Sequence, residues 1–274
     1  MLLALLGGGF CAYPIAAPWI AATIQADVIV QYDQKVTNLD PDQRARLLAE
    51  AEYYNAHLPN GPLRDPYVLN DSGEAVSLDQ GRADYERQLS VDDGAPMARL
   101  RIPAIDVDLP VFHGTDEDVL ARGVGHFYGS GLPVGGSGVH SVLTAHSGYV
   151  NARLFDDLDQ VKIGDEFTIT VLGDVLTYRV DQIDTVLPDE SELLRQVPGA
   201  DYVTLVTCTP RYVNSHRLLV RGIRVPTISE PDAADASHIV SPGDPGFPWW
   251  MLIIVAPVGA GLFLLRRPRP TSTD

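Results

Sequence analysis

The sequence predicts a mainly β domain, a barrel or a sandwich with short helical inserts, carried between two apolar ends. Three observations predict it. From Met97 to Val225 the chain breaks into short runs in which apolar and polar residues alternate, the period of a strand with one face buried. Turn-forming tripeptides such as "IGD" and "LGD" separate those runs, and only short helical stretches interrupt them. At either end, residues 1–23 and 249–265 are uncharged and apolar, near the ~20 residues a helix needs to cross a bilayer.

In chain order, "MLLALLGGGFCAYPIAAPWIAAT" comes first, and Pro14 and Pro18 are expected to kink it. Residues 1–24 read as a membrane segment or an uncleaved signal anchor, because no basic residue precedes the apolar run as in a secretory leader. Cys11 lies inside it and reads as membrane-embedded, since the preceding "GGGF" does not suit a lipid-modified cysteine. Residues 25–96 read as a helical and loop region. Within it, "DPDQRARLLAEAEYYNAH" (residues 40–57) predicts a helix with Asp40 as N-cap and Pro41 at the first helical position. Leu47, Leu48, Ala51 and Tyr54 share one face of that helix, which is expected to pack on the domain. "LPNGPLRDPYVLNDSG" (residues 58–73) is rich in Pro, Gly and Asn and reads as an exposed loop, and residues 74–95 as irregular or a short helix.

Residues 97–225 form the β domain. "MARLRI" and "DVDLPVF" flank "PAI"; "VHSVLTA", "EFTITVL", "VLTYRVDQI", "YVTLVTC" and "RLLVRGIRV" follow as strands. "TDEDVLARG" predicts a short helix capped by Thr115, and "NARLFDDL" and "ESELLRQV" predict two more. Residues 226–247, rich in Pro, Asp, Ala and Ser, read as a linker. Residues 248–265 then predict a transmembrane helix opening on Trp249 and Trp250. "RRPRP" follows, which assigns the tail 266–274 to the cytoplasm and the acidic middle of the chain to the outside.

The formal net charge of −16 repels phosphate backbones and excludes nucleic acid as a natural partner. There are two cysteines, and Cys11 in its apolar segment is no partner for Cys208, so the fold relies on its core and Cys208 is left outside any disulfide. No cluster of metal ligands stands out, and no cofactor is expected.

"TLVTCTPRYVNSHRLLVRG" (residues 204–222) ends one strand at Cys208 and begins the next near Arg217. Paired antiparallel across the loop, those strands set the thiol beside the guanidinium. A thiol attacks as thiolate, which a nearby cation favours, and acyl transfer also needs a base or acid for the amine. Seven histidines are available: His57, His113, His126, His140, His146, His216 and His238. His146, at the end of the strand in "SVLTAHSG", is best placed; His140 opens that strand at its far end, His216 points to the other face from Arg217, and His238 lies in the linker. Arg217, always charged and directional, suits a substrate carbonyl or the oxyanion of a tetrahedral intermediate. Taken singly, each residue also has an ordinary reading, as a packed thiol, a hydrogen-bonded imidazole and a solvated guanidinium.

The pattern of Thr204, Leu205, Thr207 and Cys208 followed nine positions later by Arg217 resembles the signature of sortases, membrane-anchored cysteine transpeptidases of Gram-positive surfaces. "SVLTAHSG" resembles the family's histidine motif, with Ala145 where glycine is more usual, and so maps that role onto His146. The resemblance covers roughly residues 97–224 and implies a sortase-like β-barrel with His146, Cys208 and Arg217 as catalytic residues. "GVGHFYGSGLPVGG", "NSHRLLVRG" and the second apolar end resemble class C, the pilin-polymerising branch. That branch implies a lid carrying Asp65, Pro66 and Tyr67, with Asp65 paired to Arg217 and the Tyr67 ring on the Cys208 sulfur. It also implies partners: pilin subunits with an LPXTG-like sorting signal cut at Thr–Gly, and an acceptor lysine on the next subunit. The alternatives are a housekeeping-type sortase acting toward peptidoglycan, a hydrolytic cysteine peptidase, and a non-catalytic anchored binding domain.

Overall fold

The structure is a computed structural model that describes residues 2–59, 81–227 and 246–251. Eight strands, seven of them in the runs whose alternation predicts them, close on themselves: β1 (Ala98–Ile102), β2 (Val107–His113), β3 (Val124–His126), β4 (Val139–Thr144), β5 (Glu166–Val171), β6 (Asp174–Val186), β7 (Asp201–Thr209) and β8 (His216–Val225). Their order around the barrel is β1-β2-β3-β4-β7-β8-β6-β5. The mainly β expectation holds, and of barrel and sandwich the fold is the barrel. Closure comes from β1, which pairs with β2 on one side and β5 on the other. It also comes from β6, whose 13 residues reach from β5 to β8 across a register shift between Val180 and Gln182. Two pairs are parallel, β2 with β3 and β4 with β7. The second of these brings the ends of β4 and β7 to the same rim of the barrel.

Strand alternation sorts the side chains. Leu143 of β4, Val203 and Leu205 of β7 and Val220 of β8 belong to the main core inside the barrel. Their neighbours Val142, Val206 and Leu219 face the other way, into a small outer cluster with Phe127, Leu194 and Val186. Even-numbered positions on β4 and β7 therefore point outward, as do odd-numbered ones on β8.

Helix α1 (Leu2–Thr37) runs as one element through Pro14 and Pro18 and on past the uncharged stretch. Gln25, Ile29, Tyr32, Asp33 and Val36 are buried. The Tyr32 hydroxyl donates to Met97 O and accepts from Leu172 N, both at 3.0 Å. Asp33 lies 3.5 Å from the buried Arg99, which also pairs with Asp108 at 2.6 Å. The C-terminal part of α1 is thus a strut of the domain, whereas Phe10, Tyr13, Ile15, Ile20 and Ile24 are exposed. The stretch Ala12–Thr37 is long and apolar enough to cross a membrane, and among the described residues it is the one helix of that kind.

Helix α2 (Pro41–His57) begins as its sequence predicts, with the Asp40 carboxylate accepting from Asp42 N at 2.8 Å and Pro41 in the first turn. Ala51 is fully buried, and Leu47, Leu48 and Tyr54 pack on the core. The buried Asn55 locks the helix to the loop after β3: its Nδ2 donates to Leu132 O at 3.0 Å and its Oδ1 accepts from Leu132 N at 2.7 Å. Asn55→Ala strands both backbone groups, and a loss of about 2–3 kcal/mol is expected in urea unfolding. An unchanged midpoint would mean that α2 is not anchored there.

Helices α3 (Arg82–Glu86) and α4 (Glu117–Leu120) are short, as their sequences predict. Other local readings need correction. The N-cap of α4 is Asp116, not Thr115, and the Asp116 carboxylate is drawn to Arg82 instead of the helix amides. "NARLFDDL" is not a helix, because the Asp156 side chain takes the amides of Gly148 and Leu154 and leaves one 3-10 turn at Leu158–Gln160. "ESELLRQV" reduces to a 3-10 turn at Glu192–Leu194. Strand β3 was not foreseen, since three residues with a central glycine carry no alternation. Residues 252–265, most of the expected second span, lie outside the described residues, as does the tail 266–274.

Candidate active site

Cys208, the penultimate residue of β7, pairs directly with Arg217 on β8. Facing residues on antiparallel strands sit about 4.5–5.5 Å apart between Cα atoms and share one side of the sheet. That side is the outer one, above Val206 and Leu219. β4 ends at Thr144, in parallel register with Val206. The pairing continues beyond the strand: Ala145 N donates to Val206 O at 3.2 Å, and Thr207 Oγ1 donates to Ala145 O at 2.7 Å. Two residues further on each strand, His146 comes level with Cys208. The thiol therefore stands on a middle strand, with the imidazole position on one neighbour and the guanidinium on the other.

Both Cys208 and Arg217 are buried, each 7% exposed. Arg217 Nη1 donates to Asn214 O and His216 O, both at 3.1 Å, so the loop backbone fixes the guanidinium. The His146 ring stacks on Tyr149 with centroids 5.3 Å apart, and its Nε2 lies 3.6 Å from Glu117 Oε2, an ion-pair distance. Burial pushes the His146 pKa below its ordinary value, and the Glu117 carboxylate pulls it back up. Glu117 was not singled out in the sequence. The acidic turn "TDED" contains it, but only the fold brings α4 over the end of β4.

Glu117→Gln removes that attraction and leaves the burial. The imidazolium is then harder to form, and the pH at which His146 titrates is expected to fall, read from its ring resonances by NMR. A midpoint that stays or rises would contradict the pairing.

Other histidines have structural work. His140 is held by Arg195 O at 2.8 Å and Thr204 Oγ1 at 2.7 Å. His126 lies between the Tyr85 hydroxyl and Gly131 O, and burial pushes its pKa down to about 4. His113 meets Gln88 O, His216 meets Ser215 Oγ, and His57 packs on Tyr53. Asp65, Pro66 and Tyr67 of the expected lid, and also His238, lie outside the described residues.

The family model described as "Sortase domain" matches residues 100–225. Among solved structures, sortase C-1 from Actinomyces oris is 46% identical, with a TM-score of 0.64 over 68% of this chain and 100% of that one. Streptococcus pneumoniae sortase C is 40% identical, with a TM-score of 0.66 over 74% of this chain and 99% of that one. Sortase A of Streptococcus agalactiae is 30% identical over 113 residues, 40% of this chain and 45% of that protein's length. The chain belongs to the sortase family, whose members are cysteine transpeptidases, and the solved structures it resembles include sortases of the C type.

Proposed function

We propose that the chain is a pilus-assembling transpeptidase that works through Cys208, His146 and Arg217. The observation that carries the reading is the level arrangement of these three on adjacent strand ends of the outer barrel face. In this reading the Cys208 thiolate attacks the threonine carbonyl carbon of an LPXTG-like sorting signal. The C–N bond to glycine breaks, the imidazolium of His146 gives its proton to the departing amine, and a thioester remains. A lysine amine of a second pilin then loses its proton to His146 and attacks the thioester. The C–S bond breaks, the thiolate returns, and an isopeptide bond joins the subunits. Arg217 receives the oxyanion of each tetrahedral intermediate. The pilin part of the reading draws on Streptococcus pneumoniae sortase C, whose structure bears on pilin substrate specificity.

The Asp65-Pro66-Tyr67 segment is proposed as a releasable lid. Cys208 faces outward yet is only 7% exposed, which supports a cover over the thiol. Tyr67→Ala is expected to speed alkylation of Cys208 several-fold; an unchanged rate would count against a lid. The barrel is proposed to lie outside the cell, anchored by the apolar part of α1, with the tail 266–274 in the cytoplasm. The direct test incubates the full chain with a candidate pilin carrying a sorting signal. Mass spectrometry of the product is expected to find a threonine-to-lysine isopeptide crosslink. Hydrolysed signal alone, in the presence of acceptor pilin, would make the chain a peptidase instead.

A further inference from the structure

Helix α1 crosses the barrel in a definite direction. Tyr32 is bonded to Met97 and Leu172, and further toward the N-terminus Gln25 Nε2 donates to Arg122 O at 3.1 Å. Beyond that, the Tyr13 hydroxyl donates to Asn151 Oδ1 at 2.6 Å. Asn151 is in the loop that follows His146. From Tyr32 to Tyr13 the helix rises about 28 Å, and its exposed apolar part arrives at the rim that holds Cys208. A second contact marks the same level. Trp19 Nε1 donates to Gly246 O at 2.9 Å, and the Trp19 and Trp250 rings meet edge-on at 6.1 Å. The chain entering the C-terminal apolar run therefore comes alongside α1 there. Trp and Tyr concentrate at membrane–water boundaries, and Tyr13 and Trp19 lie about 9 Å apart along the helix.

The loops beside the site carry a third feature. Val150, after His146, is 61% exposed, and Tyr212 and Val213, between β7 and β8, are 76% and 68% exposed. These loops touch: a Cβ on Gly148 would lie 2.8 Å from Tyr212 Cε1, and the Arg211 guanidinium donates to Asp156 O. The Tyr13–Asn151 bond sets the first of these loops against the N-terminal part of α1.

We propose that the loop 147–153 and the β7–β8 tip 211–213 rest on the lipid bilayer, so that the rim bearing Cys208 faces the membrane surface. The occupant of this apolar surface is lipid, because α1 runs on past Tyr13 and the rim into residues 2–12, which carry no charge, so this edge of the molecule leads into the bilayer. The proposal concerns where the rim sits, and its readout does not depend on catalysis.

The test uses the full chain in nanodiscs. Val150→Trp and Val213→Trp are compared with the unaltered chain in ordinary and in dibrominated phosphatidylcholine, which quenches nearby indoles. Ile163→Trp is the control. Ile163 is also 68% exposed, but the next residue, Gly164, bonds to Val180, which pairs with Gly222, roughly 17 Å along β8 from Arg217. The added fluorescence at positions 150 and 213 is expected to fall by at least about a third in brominated lipid, and that at 163 to stay. Quenching at either 150 or 213 no greater than at 163 overturns the proposal. A failed transpeptidation assay with intact quenching would instead count against the catalytic reading alone.

Discussion

Cys208→Ala is expected to abolish isopeptide formation, with a fall of at least ~10⁴-fold, because in the proposed mechanism the thioester forms on its sulfur. The barrel should tolerate the change. Cys208 stands near the end of β7 on the outer face, and the main core lies on the other side of the sheet. Losing one buried sulfur costs on the order of 1 kcal/mol, so thermal unfolding by circular dichroism should remain cooperative and shift by a few degrees at most. Pilin polymers still made by this variant, at any rate near that of the unaltered chain, would remove Cys208 from the mechanism.

Arg217→Ala is expected to lower kcat by ~10²–10³-fold, the usual loss when one oxyanion donor is removed. Acylation and deacylation should fall together, since a tetrahedral oxyanion forms in each. Arg217→Lys should recover little. The Arg217 side chain is held by Asn214 O and His216 O through the same nitrogen, and an ammonium on a flexible stem does not reproduce the planar fork. Those two bonds also tie down the β7–β8 loop, so about 1–2 kcal/mol of stability goes with them. Stopped-flow acylation beside a urea melt separates the effects. A variant that loses stability but acylates at the normal rate would make Arg217 a loop anchor only.

Most of the barrel was legible because seven of its eight strands alternate, and a period of two is what a strand with one buried face imposes on its side chains. Strand β3 escaped because Val124-Gly125-His126 is held by its neighbours β2 and β4, not by its own pattern. The misread helices at 151–158 and 190–197 share a cause. Their apolar spacing suits a helix, but in the first Asp156 spends its carboxylate on loop amides. The extent of α1 was hidden because the charges beyond residue 24 look like an exit from the membrane. In the fold, the buried ion pair of Asp33 with Arg99 and the bonds of Tyr32 make that stretch a barrel contact.

At the site, the hairpin placing Cys208 opposite Arg217 follows from two apolar runs around one loop. That His146 comes level with them depends on β4 pairing in parallel with β7, a non-local fact that spacing does not contain. Glu117 was invisible for the same reason: nothing in "TDED" says which carboxylate will reach an imidazole 29 residues away.

Intact-mass spectrometry during turnover tests the central claim most directly. The full chain is mixed with a sorting-signal peptide, quenched in acid and digested. An acyl adduct on Cys208, ending at the signal's threonine and released by hydroxylamine, is the expected result. Crosslinked product accumulating with no adduct on Cys208, or with the acyl group on another residue, would contradict it.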